Sequence, residues 1–400
     1  MNIFKKFYAR TFQTVFKIAL PFLPYREPKM LKTNEEVVDV LKKQKKTSVL
    51  FVTDKGIRGL KLTEKLESAI TKSGLKLCVY DEVVPNPTSS NVEDALKLFH
   101  ENGCDAIIAF GGGSVMDCAK ATGARVAYPN KSLAQMKGVM KVLKKIPLLI
   151  AVPTTAGTGS ETTLAAVITD SETRHKYAIN SFPLIPRYAL LDASLTVGLP
   201  PHITSTTGMD ALTHSVEAFI GRTTTRHTRK MALESVKLVF ENLLEAYQNG
   251  KNMVARENML VASFKAGVAF TQSYVGYVHA IAHSLGGKYN VPHGLANAVI
   301  LPYVLKSYGK SAHKKLWKLG VYSGLFDKNT TFEEGARMFI EKIEELNKQM
   351  NIPTKLEQVQ EQDIVELAKT AEHEANPLYP VPKLFTAKEL EKIYYQIKEK

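Results

Sequence analysis

Apolar runs alternate with amphipathic stretches over roughly the first half of the chain. Runs rich in β-branched and apolar residues are typical of buried strands, and the stretches between them repeat with a helical period. The two clearest helical stretches, residues 61–74 and 90–103, each end in the glycine that often closes a helix. The buried runs span residues 48–54, 75–81, 104–110 and 147–153. This alternation predicts α/β units around a parallel sheet.

The pattern changes near residue 195. Before that point, further strands are predicted over residues 164–170, 175–180 and 188–192, whereas beyond it the period is helical to the C-terminus. We therefore predict an α/β dinucleotide-binding domain with a parallel sheet over residues 29–195 and an all-α domain over residues 196–400. Ligands often bind between domains, so the active site is expected in the interdomain cleft.

Residues 1–28 form a third region, a basic amphipathic arm that ends at two prolines. An arm of this kind either packs on the body or a partner subunit, or lies on a membrane surface, and we favour packing. No small-residue cleavage site follows, as a secretory signal would require. One helical face would carry Phe4, Phe7, Tyr8, Phe12, Val15 and Ala19, and the opposite face Lys6, Arg10, Gln13 and Lys17.

The net charge of +14 is concentrated in two stretches, residues 1–46 and 131–145. Neither contains a zinc finger, an RRM signature or an arginine-rich arm with interleaved aromatics, so no nucleic-acid partner is expected. The three cysteines have unrelated spacings and form no disulfide framework. A reducing, cytoplasmic location is therefore expected.

Histidines and one aspartate cluster in two segments of the second half. His279, His283 and His293 fall within fifteen residues, and upstream Asp210 lies four residues before His214. A spacing of four places both side chains on one face of a helix. The five residues together predict a divalent metal site, although each alone is also typical of a helix cap or a core position. Imidazole and carboxylate ligands without thiolate suit iron(II) or zinc, and four protein ligands would close a tetrahedral zinc, which favours iron.

A glycine run follows the strand at residues 104–110 directly and opens a helix. Glycines let the backbone approach a ligand closely, and the helix start offers free N–H groups to a pyrophosphate. The alternative is a tight turn in which Ser114 is the N-cap residue and Asp117 its capping-box partner.

A second polar loop, PTTAGTGSE, follows the strand at residues 147–153, at the sheet edge where α/β folds bind ligands. Its hydroxyl groups suit a ribose and nicotinamide. Asp54, after another strand, would bind a ribose 2′-hydroxyl and repel a 2′-phosphate, which favours NAD over NADP. Lys55 beside it weakens that preference.

Four segments in order, GGGSVMDCAK, PTTAGTGSE, GMDALTHSVEAF and HAIAHSLGGKYNVPHGLANA, resemble the iron-containing, group III alcohol dehydrogenases, which share a dehydroquinate synthase-like fold. The resemblance covers residues 30–400 or so. It implies that His283 lies near nicotinamide and substrate without binding the metal. The implied metal ligands are Asp210, His214, His279 and His293. The implied cofactor-binding residues are Asp54, Asn86, Gly112, Gly113, Ser114, Asp117, Thr154, Thr155, Thr158, Ser160 and Lys176.

The resemblance implies an Fe(2+)-dependent (alternatively Zn(2+)-dependent), NAD-linked oxidoreductase that transfers hydride between the nicotinamide and a small alcohol or aldehyde, commonly as a homodimer. Three alternatives remain: a zinc-dependent glycerol dehydrogenase-like enzyme, a metal-dependent hydrolase or lyase of a phosphorylated substrate, and a basic scaffold on membranes or nucleic acid. Residues 1–28 have no counterpart in the usual family pattern. The basic stretch MKGVMKVLKK is particular to a subgroup.

Overall fold

The computed structural model describes residues 3–399, which form nine strands and fifteen α-helices. The strands are β1 (Lys29–Leu31), β2 (Ser48–Val52), β3 (Lys76–Tyr80), β4 (Ala106–Gly111), β5 (Gly138–Val139), β6 (Leu148–Pro153), β7 (Ala165–Thr169), β8 (Lys176–Asn180) and β9 (Tyr188–Leu190). The helices are α1 (Ile3–Ala19), α2 (Asn34–Lys43), α3 (Lys55–Gly59), α4 (Glu64–Lys72), α5 (Ser89–Glu101), α6 (Gly113–Ala127), α7 (Pro201–Ile220), α8 (Arg226–Gln248), α9 (Met253–Ser273), α10 (Tyr277–Tyr289), α11 (His293–Tyr308), α12 (Lys310–Tyr322), α13 (Phe332–Gln349), α14 (Ile364–Ala375) and α15 (Ala387–Ile397).

The chain divides into two compact units. One unit is Pro24–Val197, and the other joins Met1–Leu23 to Gly198–Lys400. The first contains the described strands and helices α2–α6, and we call it the sheet unit. The second contains α1 and α7–α15, and we call it the helical unit.

The sheet unit is built on a six-stranded, fully parallel sheet with the order β1-β9-β6-β4-β2-β3. Successive side chains point to opposite faces, so each strand contributes to two cores. On β4, Ile107 and Ala109 belong to the core beneath α5 and α6, whereas Ile108 and Phe110 belong to the core beneath α2 and α4. The predicted fold class, a parallel α/β sheet followed by an all-helical part, is confirmed.

Two of the predicted strands lie outside the main sheet. β7 and β8 pair antiparallel, and with the short β5 they form a separate three-stranded sheet. Only six residues connect β7 to β8, too few for the crossover that a parallel pair requires. The alternating pattern predicted both strands but not the direction in which they pair.

The strand order places a ligand-binding edge in the sheet unit. After β2 the chain forms β3 on one side of it, and after β3 it crosses back to form β4 on the other side of β2. The connections that follow β2 and β3 therefore run in opposite directions across the sheet. Parallel sheets bind ligands outside the carboxyl ends of their strands at such a reversal. Three adjacent strands, β2, β4 and β6, end there in Asp54, the glycine run and Thr154.

The helical unit is organised around α7, which packs against α8, α9 and α11. Two glycines permit the close approach of these helices. A Cβ on Gly208 would lie 2.2 Å from Leu243 of α8, and one on Gly294 would lie 2.4 Å from the Thr206 carbonyl of α7. The start of α11 is thereby held directly against α7. Within residues 3–399, no helix is both long and apolar enough to cross a membrane.

Candidate metal centre and cofactor loops

Four potential metal ligands converge inside the helical unit. Asp210 and His214 lie one turn apart on α7, His279 is in the first turn of α10, and His293 begins α11. One donor atom from each of the four lies within 4.8 Å of all the others. Three of these side chains are buried, and His293 is partly exposed. The structure thus brings together residues that are up to 83 positions apart in the sequence.

The amide of Asn297 marks the point at which the donor atoms converge. Its Nδ2 donates to Asp210 Oδ1 at 2.7 Å and lies 3.1 Å from His293 Nε2 and 3.3 Å from His279 Nε2. An amide carries only two N–H groups, so it cannot satisfy all three acceptors. Asn297 Oδ1 is buried and has no hydrogen-bond partner among the described residues.

This geometry fits a divalent cation. Two ligands of one ion with bonds of about 2.1 Å lie about 3.4 Å apart at tetrahedral angles. The donor atoms, which all lie within 4.8 Å of one another, therefore need to close in by about an ångström to bind one ion. Three imidazoles and one carboxylate are ligands that iron(II) and zinc accept. The acceptor atoms of Asp210, His279 and His293 outnumber the N–H groups that face them, which is unfavourable for buried atoms unless a cation is bound.

Glu217 orients His279 from behind. Glu217 lies on α7 seven residues after Asp210, and its Oε2 is 2.6 Å from His279 Nδ1. A proton on Nδ1 leaves the lone pair of Nε2 directed at the cluster, and carboxylates often fix metal-binding histidines in this way. Burial, with the neighbouring His214, His293 and His283, lowers the pKa of His279 well below its ordinary value, which keeps the ring neutral.

Glu217 is itself held by the backbone at the start of α10. Its two oxygens accept the N–H groups of Gly276 and Val278, each at 2.8 Å. A Cβ at position 276 would lie 2.6 Å from Glu217 Oε1, so only glycine leaves room for this carboxylate. Burial raises the pKa of Glu217 to about 7, although these hydrogen bonds favour its charged form.

His214 is fixed by packing. Its ring stacks between Phe270, with centroids 4.0 Å apart, and His279, with centroids 4.5 Å apart. Aromatic walls on both sides restrict the ring to one plane. The ligand set is therefore held by rigid helices and stacked rings before any ion binds.

His283 lies beside the cluster but is not part of it. Its ring contacts those of His279 and His293, with centroids 5.9 Å and 5.3 Å away. Its Nδ1 is 2.6 Å from Glu374 Oε1, an oxygen that also accepts the Tyr379 hydroxyl at 2.7 Å. The His283 side chain as a whole is 44% exposed. This geometry matches that of an oriented proton-transfer group.

In the sheet unit, the two predicted cofactor loops are in contact. Gly112 is the N-cap residue of α6, in an extended conformation, and no side chain caps this helix. A Cβ on Gly112 would lie 3.7 Å from Thr155, and one on Gly113 would lie 3.3 Å from Thr158. Thr154 continues the β6 strand and donates its backbone N–H to Gly111. The free N–H groups of the helix start thus face a loop of threonines, as a phosphate cradle requires.

Two further predicted residues join this edge. The backbone N–H of Asn86, which has a φ of 57°, donates to Ser114 Oγ at 3.2 Å. Lys176 Nζ donates to Asn86 Oδ1 at 2.5 Å. Ser114 is therefore not the N-cap residue that the tight-turn alternative required, and its hydroxyl links two loops instead.

Asp117 and Ser160 lie deeper, in a buried polar network. Ser160 Oγ donates to Asp117 Oδ1 at 3.1 Å, and Lys120 Nζ donates to Ser160 Oγ at 3.0 Å and to Thr163 Oγ1 at 2.9 Å. Asp117 also accepts the N–H of Val167, so it is not a capping-box partner. Burial raises the pKa of Asp117 to about 6 and lowers that of Lys120 to about 8. This network joins α6 to the threonine loop through buried side chains.

Asp54 is the N-cap residue of α3, and its Oδ1 accepts the N–H of Ile57 at 2.8 Å. Its second carboxylate oxygen remains available at the carboxyl end of β2. Neighbouring Lys55 forms an ion pair with Glu82 at 2.7 Å. The positive charge that would have attracted a 2′-phosphate is therefore already engaged.

Several residues of these sites escaped prediction: Glu217, Asn297 and Glu374 around the histidines, and Lys120 below the glycine run. Two of them carried a usable signal. Glu217 and Asn297 follow the candidate ligands His214 and His293 by three and four residues, on the same helix face. Glu374 lies 91 residues after His283, and no local spacing could connect them.

Comparisons with known proteins identify the family to which the chain is similar. The profile described as iron-containing alcohol dehydrogenase matches residues 31–193, and the profile of the C-terminal part of the Fe-containing alcohol dehydrogenase family matches residues 204–397. The chain is 37% identical to 1,3-propanediol dehydrogenase of Citrobacter freundii over 351 residues, 87% of this chain and 90% of the relative.

Two solved structures have the same fold. A crystal structure of 1,3-propanediol oxidoreductase superposes with a TM-score of 0.89 at 34% identity and covers 93% of this chain and 99% of its own. Sulfoacetaldehyde reductase from Bifidobacterium kashiwanohense, in complex with NAD+, gives 0.83 at 28% identity over 93% and 98% of the two chains.

Proposed function

The chain belongs to the iron-containing alcohol dehydrogenase family, and on that premise we propose how its own residues carry out the family's reaction. It is an oxidoreductase that transfers hydride between a nicotinamide cofactor and an alcohol or aldehyde. The convergence of Asp210, His214, His279 and His293 on one point carries the proposal. When bound there, iron would act as a Lewis acid on the substrate oxygen, while the nicotinamide supplies or takes the hydride.

In this proposal, the four converging residues hold the metal and Glu217 maintains His279 in the tautomer that can bind it. The Asn297 amide would rotate so that its N–H groups leave the donor atoms, because those N–H groups and a cation cannot face the same lone pairs. Its carbonyl oxygen, now without a partner, is the group that such a rotation would bring towards the cation.

His283 moves the proton. Its Nδ1 is engaged by Glu374, so the exchangeable position is Nε2, on a ring that is partly exposed to solvent. In alcohol oxidation Nε2 accepts the hydroxyl proton, and in aldehyde reduction it returns it. Glu374 and the Tyr379 hydroxyl fix the direction of the ring and do not themselves contact the substrate.

The sheet unit binds the cofactor. The N–H groups at Gly112 and Gly113 bind the pyrophosphate, and Thr155 and Thr158 line the same edge. Asn86, Ser114 and Lys176 provide polar groups beside the phosphates. Thr154, Asp117 and Ser160 support the loops from within.

We propose NAD rather than NADP as the cofactor. The Asp54 carboxylate would accept the hydrogen bond of a 2′-hydroxyl and repel a 2′-phosphate. The Lys55–Glu82 ion pair supports this preference, because Glu82 partly offsets the nearby positive charge that would favour NADP.

The substrate proposed is a small alcohol or its aldehyde, since the relatives named above act on 1,3-propanediol and sulfoacetaldehyde. A homodimer and a cytoplasmic location are proposed from family membership and from the unpaired cysteines. The hydrolase or lyase alternative finds no support, because each relative described is a dehydrogenase, an oxidoreductase or a reductase.

A substrate panel tests the function. Protein purified without oxygen and loaded with iron(II) is mixed with small alcohols plus NAD or NADP, and with aldehydes plus the reduced cofactors. The expected result is metal-dependent turnover, higher with the NAD forms. Turnover of a phosphorylated substrate without any nicotinamide would contradict the proposal.

A further inference from the structure

Helix α1 presents its apolar side to solvent. Five large apolar side chains on its outer face and in the turn that follows are more than half exposed: Phe4 at 78%, Phe7 at 74%, Val15 at 61%, Ile18 at 66% and Phe22 at 83%. Apolar residues at such spacings lie on one side of a helix. An amphipathic helix that served only to stabilise the fold would bury this side instead.

The opposite side of α1 is fixed to the helical unit by polar anchors. Gln13, only 2% exposed, donates to the carbonyls of Pro377 at 3.2 Å and Tyr379 at 2.8 Å. Arg10 donates to the carbonyls of Val381 at 2.7 Å and Pro382 at 3.0 Å. These hydrogen bonds form only when the side of α1 that carries Arg10 and Gln13 faces the body, so they determine which side of the helix faces outward.

The exposed face is not required by the family fold. The family profile begins at residue 31, after α1 and Phe22. Contiguous apolar patches rarely remain in contact with water unless they bind another surface. The patch therefore calls for a binding partner rather than a catalytic role.

The charged residues of the arm are all positive. Residues 1–26 contain five Lys and Arg and no Asp or Glu. Lys5, Lys6 and Lys17 are exposed. A surface of this composition is complementary to an anionic layer.

A second group of cations adjoins the arm. Lys315 lies in the field of Lys17, Arg222, Arg229 and Lys318, and burial together with these neighbours lowers its pKa to about 8. Its ammonium group donates to the carbonyls of Ile220 and Gly221, at the end of α7. Positive charge is thus concentrated beside α1 on the body as well as on the helix.

We propose that the outward face of α1, together with Phe22, docks on the surface of an anionic lipid bilayer. The apolar side chains would enter the boundary between headgroups and acyl chains. Lys5, Lys6 and Lys17 project from the flanks of the helix beside its anchored side and are exposed, so their long side chains would extend back towards the lipid phosphates. A second copy of the chain is the less suitable occupant, because a symmetric contact would bring identical cationic patches together. The anchored side of α1 would remain on the body while its apolar side meets the membrane, so the helix would lie parallel to the membrane surface.

Vesicle flotation tests this proposal with the full-length, metal-loaded enzyme. The vesicles contain equal parts of phosphatidylglycerol and phosphatidylcholine, and pure phosphatidylcholine vesicles serve for comparison. The native chain is expected to float with the anionic vesicles and to be released by salt. The double variant Phe7→Ser/Ile18→Ser and the triple variant Lys5→Gln/Lys6→Gln/Lys17→Gln should each bind at least about tenfold more weakly.

The matched control is Lys251→Gln/Val254→Ser, which removes an exposed cation and a 68% exposed valine elsewhere on the helical unit. This control should float like the native chain. The arm variants should retain native turnover, because the substituted side chains are exposed and belong neither to the candidate ligands nor to the cofactor loops.

Three results would overturn the proposal. One is absence of flotation by the native chain, and another is flotation that the arm variants leave unchanged. The third is concentration-dependent self-association without vesicles that the Phe7→Ser/Ile18→Ser variant abolishes, which would assign the face to a second copy. Each outcome is independent of whether the enzyme reduces aldehydes.

Discussion

Glu217 Oε2 lies 2.6 Å from His279 Nδ1, with both side chains buried. This pair joins α7, which carries two of the candidate ligands, to α10, which carries a third. Because the same carboxylate accepts two backbone N–H groups at the start of α10, it positions the whole first turn of that helix as well as one ring. The metal affinity of the proposed site should therefore depend on a residue outside the candidate ligand set.

Glu217→Gln should lower iron(II) and zinc affinity by roughly 10- to 100-fold. The amide has one acceptor oxygen instead of two, so His279 is no longer held in the metal-binding tautomer. Chelator competition followed by metal analysis measures this change. The surface variant Glu245→Gln is the control, and native metal affinity in Glu217→Gln would show that the pair has only a structural role.

Glu374→Gln and His283→Ala should lower turnover while the metal content stays at the native level. Loss of the proton-transfer group is expected to reduce kcat by about 10²-fold or more, and loss of its orienting carboxylate by less. Tyr379→Phe removes the other hydrogen bond to Glu374 and should have the smallest effect. If His283→Ala instead lost its metal, His283 would be a ligand.

Gly112→Ala should raise the KM for NAD with little change in stability. The backbone at residue 112 is extended, and the new Cβ would meet only Thr155 at ordinary contact distance. It would, however, occupy the space through which a pyrophosphate approaches the helix start, at a cost of about tenfold in KM. Gly198→Ala, where a Cβ has no neighbour within 4 Å, is the control. An unchanged KM would place the cofactor phosphates elsewhere.

Lys120→Met should destabilise the sheet unit by about 3 kcal/mol, because the buried Asp117 would lose its cationic partner. Urea unfolding measures this difference, with the exposed Lys97→Met as the control. Equal stabilities of Lys120→Met and the native chain would refute the network's structural role.

The same network predicts a pH dependence. Burial lowers the pKa of Lys120 from 10.5 to about 8. Between these values the folded chain binds fewer protons than the unfolded chain, so the native unfolding free energy rises with pH. The difference in unfolding free energy between the native chain and Lys120→Met should therefore widen from pH 8 to pH 10.5. A difference that stays constant over this range would contradict the lowered pKa of Lys120.

Much of the fold could be predicted from hydrophobic period alone. β2, β4 and β6 are buried runs with an apolar residue at nearly every position. β3 is mostly apolar but only partly buried, and the helices that follow these strands have clear amphipathic faces. β1 and β5 are three and two residues long, too short to produce a pattern. The antiparallel pairing of β7 with β8 depends on loop length rather than on side-chain period.

From residue spacing alone, as opposed to the family resemblance, the candidate site was predictable only where its geometry is local. A spacing of four pairs Asp210 with His214, but it pairs His279 with His283 equally well, and only tertiary packing separates them. Gly294 lets α11 approach α7 and brings His293 to Asp210, which no spacing encodes. The amphipathic pattern of α1 likewise predicted two faces, whereas the carbonyls of residues 377–382 determine which one turns inward.

Reloading of the metal-free enzyme measures the central claim most directly. Native chain and His279→Ala are stripped of metal, incubated with iron(II), analysed for bound metal and assayed by the absorbance of reduced nicotinamide with a small aldehyde. The native chain should regain one ion and its turnover together, and His279→Ala should regain neither. Turnover by the metal-free native chain, or a metal-replete and active His279→Ala, would contradict the account.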